Sequence, residues 1–220
     1  MKLPNPTIRL RAVTLAGAIA VTAVLGAPVV AAADASMTIP AMSQQDGAWA
    51  PAQLGTSPTE TIGSAGCAIT AVTMMLRNYG IDTDPARFNG WLTGSGGYAY
   101  DDQLIWSAVT DYTSGRVAFS GWYGADLALI QHELDAYRPV VAEVQLGGNQ
   151  HFVLLTGYTE AGFLINDPWF GDSVRFGDRY GDPSTGILSI RTFMPADTAP
   201  PGRERAGWLA NAVAALHLAQ

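Results

Sequence analysis

The chain has 220 residues, of which 48% are hydrophobic and 14% are charged, and its formal net charge at pH 7 is −7. This acidic balance argues against nucleic acid or an anionic membrane surface as a partner, because both repel acidic proteins. The length suffices for one domain with a sizeable core, and the single cysteine, Cys67, excludes an internal disulfide.

The first 33 residues have the pattern of a secretory signal peptide. Lys2, Arg9 and Arg11 precede an apolar run rich in alanine, and the run ends in small residues at 31–33. We therefore predict cleavage near Asp34 or Ser36, in preference to a retained membrane anchor. Three of the 12 basic residues and none of the 19 acidic ones precede the cleavage point, which leaves a mature formal charge of −10. The mature protein is expected to be secreted or associated with the cell wall, with no membrane contact.

The predicted elements of the mature chain begin with helices. Residues 34–60 contain three prolines and little periodicity, so they are predicted to be irregular. Helices are predicted from about Cys67 to Gly80, from Asp84 to about Trp91, and over 101–112, with a mobile loop at 94–97.

Strand-like runs follow Gly115. They are RVAFS, PVVAEV, HFVLLTGY, GFLIND and GILSIRTF, with one helix from about Ala125 to Tyr137 between the first two. Helices followed by an antiparallel sheet are typical of an α+β domain, which we assign to residues 34–196. Residues 197–220 are predicted to form a linker and a short C-terminal helix that cannot span a membrane.

Cys67 lies at the predicted start of the first helix, where two interpretations fit it. The N-terminus of a helix stabilises a thiolate through its N–H groups and the positive end of its dipole. Gly63 and Gly66 would leave room for a substrate backbone. However, a cysteine on a helix is often a small core residue. A free thiol in an oxidising compartment calls for burial, pairing between chains or chemistry, so the residue alone leaves nucleophile and core side chain as alternatives.

His151 is the best candidate for a base among the three histidines. His132 lies within a predicted amphipathic helix and His217 lies near the C-terminus, whereas His151 opens a strand directly after the turn-like GGNQ. If HFVLLTG and GFLIND pair as a hairpin, His151 faces Asp167 directly. A slip of one residue would turn this carboxylate away and leave Asn166 as the orienting group. A polar strand end without catalytic function fits the same residues.

The sequence also offers a candidate donor for an oxyanion hole. Gln44 or Gln45, upstream of Cys67, could donate a side-chain N–H to an oxyanion together with the backbone N–H of the cysteine. The spacing of histidine and cysteine offers no zinc site, and neither a metal nor an organic cofactor is expected. Three aromatic residues are interpreted as core residues in preference to a pocket lining: Tyr98, Tyr100 and Trp122.

Four motifs occur in the order SQQDGAWA, GCAITAVTMMLRNYG, HFVLLTGY and INDPW. Over residues 42–193 the chain thereby resembles the secreted, stand-alone papain-like cysteine peptidases that are related to the bacterial bacteriocin-processing, double-glycine-leader peptidases. The resemblance implies a papain-like cysteine proteinase fold, with the nucleophile at a helix N-terminus and an antiparallel β-sheet after it. By motif it implies Cys67 as nucleophile, His151 as base and Asp167 as orienting residue.

The same resemblance distinguishes between the two glutamines. The family pattern is Gln, one residue, Asp, two residues, Trp, which matches Gln44, Asp46 and Trp49 and so implies Gln44 for the oxyanion hole. The bacteriocin-processing enzymes are fused to a membrane transporter, which is not expected here. Cleavage after a double glycine is therefore not implied.

The expected function is a secreted thiol hydrolase that cleaves peptide or amide bonds through a Cys-His-Asp triad and an acyl-enzyme. Two alternatives use the same fold. One is a non-catalytic module that binds peptides or cell-wall fragments, and the other is an acyl transferase with the same triad. The expected partner is a peptide or amide-containing substrate, and the sequence indicates no oligomeric state.

Overall fold

The computed structural model describes residues 34–196, and the predicted signal peptide and C-terminal segment lie outside them. The helices are α1 (Ile62–Ala65), α2 (Cys67–Asn78), α3 (Pro85–Ser95), α4 (Ala108–Tyr112), α5 (Leu127–Asp135), α6 (Phe176–Tyr180) and α7 (Pro183–Gly186). The strands are β1 (Ala35–Ser36), β2 (Tyr98–Ala99), β3 (Gln103–Leu104), β4 (Val117–Gly124), β5 (Val140–Leu146), β6 (Asn149–Thr159), β7 (Gly162–Asp167), β8 (Asp172–Arg175) and β9 (Ser189–Pro195).

Seven of these strands form one antiparallel sheet. Six lie in the order β4-β9-β5-β6-β7-β8, and β1 pairs with β6 beyond the end of β5. The short strands β2 and β3 form a separate hairpin. Helices precede most of the sheet along the chain, so the structure confirms the predicted α+β class.

The hydrophobic core lies on both faces of the sheet, because successive side chains of β6 point to opposite sides. Phe152 and Leu154 belong to a cluster with α2, and Val153 and Leu155 to a second cluster that includes residues of α5 and α6. Nine of the 12 residues of α2 are buried, which makes it the central helix of the domain. Its N-terminus, where Cys67 lies, is therefore firmly held.

The first two predicted helices are confirmed, with one change at the end of the second. The helix α2 begins at Cys67 and stops before Gly80, which has a φ of +74°. Asp84 caps α3 by accepting from the Arg87 N–H, as its position before the apolar run suggests. This helix continues to Ser95, and Gly96 ends it in the left-handed region. The predicted loop at 94–97 is thus partly a helix end.

The third predicted helix, over 101–112, is wrong for its first seven residues. Only α4 is helical, and the preceding residues form the β2–β3 hairpin. The turn of this hairpin has Tyr100 and Asp101 at φ +47° and +72°. The backbone oxygen and carboxylate of Asp101 accept hydrogen bonds from the N–H and hydroxyl of Thr56, at 2.9 and 2.8 Å. A long-range contact therefore overrides the helical period of this segment.

Gly63 and Gly66 lie in close contact with other residues of the protein. The space that was expected for a substrate is filled by these neighbours. A Cβ at Gly63 would lie 3.0 Å from the Ala50 Cβ, and one at Gly66 would lie 2.5 Å from the Ile62 carbonyl oxygen. Gly66 joins α1 to α2, so the close approach bends the chain immediately before Cys67. The glycines thus help to place the thiol without themselves forming the cleft.

The substitution Gly66→Ala is expected to lower the free energy of unfolding by about 1–3 kcal/mol, because the added methyl group overlaps the Ile62 carbonyl. Gly90→Ala is the matched control. Gly90 lies within α3, and a Cβ there would meet no atom within 4 Å, so alanine is expected to stabilise by about 0.5–1 kcal/mol. Urea denaturation of both variants measures the difference, and equal effects would contradict the steric explanation.

Candidate active site

The structure brings the four predicted site residues to one place. Cys67 is the first residue of α2, and it lines the same cavity as His151, whose pKa is raised by interaction with the thiol. The thiol is free, as the lone cysteine requires, and is 8% exposed. A buried thiol that contacts an imidazole differs from an ordinary core cysteine, which is surrounded by apolar groups alone.

His151 connects the thiol to a carboxylate. It lies in β6 opposite Val144 of β5, and only 3% of its surface is exposed. Its Nε2 atom lies 2.8 Å from Asp167 Oδ1. Because Nε2 is occupied by the carboxylate, Nδ1 is the nitrogen left for the cysteine. The order of contacts is therefore thiol, imidazole, carboxylate, which is the arrangement of a nucleophile, its base and an orienting group.

The predicted hairpin register is wrong by two residues near the site, but the predicted contact forms. Leu154 pairs with Asn166. In the antiparallel pairing the following residue, Asp167, therefore lies across from Val153 and not from His151. Because Val153 and His151 are two residues apart on β6, they share a face of the sheet. The carboxylate therefore reaches the imidazole diagonally.

An extra residue in β6 determines which face Asp167 occupies. Near the turn Gly157 pairs with Leu164, and on the other side of Thr156 the pair is Leu155 with Ile165. Thr156 is therefore an additional residue in β6, and the pairing register shifts by one there. Continuation of the register near the turn would have placed Asp167 on the face opposite His151. With the turn pairing of this chain, the bulge at Thr156 thus brings Asp167 to the face of the sheet that carries His151.

Asn166, the alternative orienting residue, lies on the other face of the sheet. Its Nδ2 atom donates to the Ile39 carbonyl at 2.8 Å, and its Oδ1 atom accepts from the Ser173 hydroxyl at 2.6 Å. Both functional ends of the amide are therefore used in holding the N-terminal segment and β8. The structure brings Asp167, not Asn166, to His151.

Gln44 is buried and, with Cys67 and His151, lines a cavity that is described below, whereas Gln45 is exposed. Its Nε2 atom donates to the Gly63 carbonyl at 3.0 Å, and its Oε1 atom is buried without a partner among residues 34–196. One N–H of the amide is thus used for position, and the second can point into the cavity. Of the two glutamines, the structure brings Gln44 to the cavity.

The spacing of the glutamine motif follows from a turn. The Asp46 carboxylate accepts from the Ala48 N–H at 2.9 Å, and the Trp49 indole N–H donates to the Ser43 carbonyl at 2.8 Å. The Gln44 N–H in turn donates to the Pro168 carbonyl at 2.8 Å, next to Asp167. The motif therefore fixes the glutamine backbone directly beside the strand end that carries the carboxylate.

The charges of the site are set by the hydrogen bonds. Burial lowers the pKa of His151, but its hydrogen bonds to Asp167 and Cys67, and their negative charges, outweigh burial and raise the pKa from 6.5 to about 9. Burial raises the pKa of Asp167, but hydrogen bonds from His151, Tyr180 and Arg179 hold it below its ordinary value. At neutral pH the imidazole therefore carries a proton, and its positive charge lies beside Cys67 and Asp167.

A cavity of about 1020 Å³ opens onto these residues. Gln44, Cys67 and His151 contribute to its lining, and several other parts of the wall are apolar. This size is that of a site for a small peptide or a comparable organic molecule. The wall residues are Leu104, Ile105, Trp106, Phe119, Trp122 and Leu146.

The three aromatic residues that the sequence assigned to the core have different environments. Tyr98 packs against the core as predicted. The prediction is wrong for Tyr100, which is 83% exposed, and for Trp122, which is 60% exposed and lines the cavity. Both lie in segments that connect or border the sheet, where aromatic composition alone does not indicate burial.

Two residues that contact the site were not predicted. Arg179 and Tyr180, at the end of α6, both donate to Asp167 Oδ2, at 3.0 and 2.6 Å. The helix α6 has five residues, too few to show an apolar period, so sequence reasoning had no signal for it. Arg179 and Tyr180 reach Asp167 because α6 packs against β7 in the fold.

Within residues 34–196 no cluster of three or more His, Cys, Asp or Glu side chains is arranged to hold a metal ion. Within the same range no helix is both long and apolar enough to cross a membrane.

Residues 36–180 match the Peptidase_C39 like family. A crystal structure from Bacillus anthracis, which is described provisionally as a C39-like peptidase, aligns with a TM-score of 0.46 and 15% sequence identity. The alignment covers 72% of this chain and 96% of that chain. No curated protein matches the sequence.

Proposed function

Since the chain belongs to the Peptidase_C39 like family, whose members are cysteine peptidase-type hydrolases, we propose that it cleaves peptide or amide bonds through Cys67, His151 and Asp167. The family and the helix-then-sheet architecture agree with the papain-like fold implied by the sequence. The single observation that carries the proposal is the position of His151, which is hydrogen-bonded to Asp167 at 2.8 Å and lines one cavity together with Cys67.

The proposed reaction starts with the proton of the thiol already on His151, because the raised pKa keeps the imidazole protonated at neutral pH. Nδ1 of the imidazolium holds this proton on the side of Cys67, while Asp167 accepts from Nε2–H and stabilises the positive charge. The thiolate then attacks the carbonyl carbon, and His151 returns its proton to the leaving amine. Water attacks the resulting thioester with the same residue as base, which releases the acid and restores the thiol.

The negative charge on the carbonyl oxygen needs donors that are already in place. Gln44 Nε2 is held beside the cavity by the Gly63 carbonyl, and the backbone N–H of Cys67 lies at the start of α2. We assign these two groups to the oxyanion hole. Both are fixed before a substrate binds, so little reorganisation is needed as the charge develops.

Replacement of Gln44 by alanine is expected to lower kcat by about 10²–10³, because one of the two oxyanion donors is lost. KM is expected to change little, since the donor acts mainly in the transition state. Gln45→Ala is the control, because that side chain is exposed and donates only to the Trp169 carbonyl, at 3.4 Å. Equal losses in the two variants would remove Gln44 from the oxyanion hole.

A screen of the protein against a peptide library, with product masses recorded, tests the proposal. Hydrolysis gives a free carboxylic acid, whereas acyl transfer gives a new amide when an amine acceptor is added. Absence of any covalent product, together with retained peptide binding, would favour a binding module instead. The screen therefore distinguishes the three functions that share this fold.

We further propose that the protein acts outside the cell after removal of residues 1–33. The basic residues, apolar run and small residues of the N-terminus support this localisation. N-terminal sequencing of the protein from the culture medium of its host should begin near Asp34 or Ser36. An N-terminus at Met1 would contradict cleavage.

A further inference from the structure

The Asp167 carboxylate has two sides with different contacts. Its Oδ1 atom accepts from His151 Nε2 at 2.8 Å and from the Trp169 N–H at 3.0 Å. Its Oδ2 atom accepts from Tyr180 Oη at 2.6 Å and Arg179 Nη1 at 3.0 Å. The side chain is fully buried, so these four donors replace the water that a carboxylate requires.

Arg179 is itself fixed by contacts that do not include His151. Its Nη1 and Nη2 atoms form a two-point contact with the Asp172 carboxylate at 2.8 and 2.9 Å. The Phe170 ring lies 4.0 Å from the guanidinium. Asp172 pairs directly with Asp167 across β7 and β8, so one guanidinium bridges two opposed carboxylates.

Tyr180 approaches the site from the same helix end. Its ring centroid lies 6.5 Å from that of His151, and its hydroxyl is directed to Asp167. The hydroxyl adds no formal charge, whereas Arg179 adds one. The two neighbours therefore act on the same oxygen in chemically different ways, which an experiment can separate.

We propose that Arg179 and Tyr180 are positioning residues of the active site, which hold Asp167 ionised, aim its Oδ1 at His151, and withdraw part of its negative charge through Oδ2. The proposal rests on the proposed function for its effect on catalysis, but its effect on His151 does not depend on turnover. Neither residue touches the thiol or a substrate in this assignment, and both act through the carboxylate.

Two consequences distinguish positioning from a simple structural function. Loss of either donor loosens the carboxylate, so kcat is expected to fall while KM is little changed. Loss of either donor also leaves more negative charge on Asp167, which stabilises the protonated imidazole. The pKa of His151 is therefore expected to rise above its present value of about 9, whereas a general loss of packing would not raise it.

The experiment compares Arg179→Met and Tyr180→Phe with Arg175→Met in the full chain. Arg175 immediately precedes α6 and forms an exposed ion pair with Asp178, so it is a matched control without contact to the carboxylate. The His151 ring is titrated by NMR, with its resonance assigned by comparison with His151→Ala. Steady-state kinetics are measured on a cleaved peptide.

The titration midpoint of His151 is expected to rise by roughly half a pH unit or more in Arg179→Met, and by less in Tyr180→Phe. The value of kcat is expected to fall about 10–100-fold in Arg179→Met, with a smaller fall in Tyr180→Phe. Arg179→Lys restores the charge without the two-point contact, so its midpoint should return toward that of the wild type while kcat recovers only in part.

An unchanged His151 midpoint in folded Tyr180→Phe and Arg179→Met would overturn the proposal, as would an equal shift in Arg175→Met. If Arg179→Met does not fold, the midpoint and kcat of Tyr180→Phe alone decide. Failure of the wild type to cleave any peptide would overturn the proposed function, but the His151 titration would still report on positioning. The two failures are thus separable.

Discussion

Replacement of Cys67 by alanine is expected to abolish peptide hydrolysis, with a fall in kcat/KM of at least about 10⁴. The loss is this large because His151 and Asp167 act only through the thiolate, and alanine offers no nucleophile. The fold is expected to survive, since the side chain becomes smaller at a position that is 8% exposed and opens onto the cavity. The measurement is kcat/KM on a peptide from the library screen.

Cys67→Ser is the control for this experiment. Serine keeps the size and the hydrogen bond, but a hydroxyl has no accessible anion at neutral pH and does not form the ion pair with His151. Both variants are therefore expected to be inactive, with thermal melting close to that of the wild type. Activity above one per cent of the wild-type value in Cys67→Ala would assign the chemistry to another residue.

Replacement of His151 by alanine is expected to remove the pH-independent reactivity of the thiol and to reduce hydrolysis by about 10⁴. The pKa of His151 is raised to about 9, so below that pH the imidazolium keeps its proton and stabilises the thiolate. Wild-type alkylation by iodoacetamide should therefore vary little between pH 6 and pH 8. Without the imidazole no neighbouring cation stabilises the thiolate, so alkylation should be slower near neutral pH and should rise steeply with pH.

His132→Ala is the matched control, because this histidine is exposed on α5 and lies away from the cavity. Its alkylation profile and hydrolysis should equal those of the wild type. A steep wild-type profile, identical to that of His151→Ala, would show that the buried imidazole and the thiol are not coupled. The protein would then be better described as a binding module with a structural cysteine.

The parts of the site that the sequence predicted share one property, which is that local pattern determines them. The apolar period of α2 and the glycine after it predict where the helix begins and ends, and so where Cys67 lies. The turn before Trp49 follows from the side chain of Asp46, so the glutamine motif can be recognised in the sequence. These features depend on residues within a few positions of one another.

The parts that the sequence did not predict depend on distant contacts. The β2–β3 hairpin replaces a helical period because Thr56 holds the turn at Asp101. Arg179 belongs to a segment with no repeated pattern, and it acquires its position from a carboxylate on another strand. Hydrophobic and turn patterns carry no information on such pairings.

The His151–Asp167 contact lies between these two cases. The hairpin was predicted from its strand patterns, but its register was predicted as regular, without the bulge. The predicted register differs from the observed one by two residues at the site. Because this number is even, His151 and Asp167 still lie on one face of the sheet. The contact between His151 and Asp167 was therefore predicted, although the strand register used to predict it was wrong.

The bulge at Thr156 also affects how this site would be found in other sequences. The histidine and the aspartate are 16 positions apart here. A chain without the bulged residue could keep the pairing of Leu155 with Ile165 and the same two side chains in contact, with its histidine and aspartate one position closer in sequence. A search pattern with a fixed interval would miss such a relative, so the interval between the two strands should be allowed to vary by one.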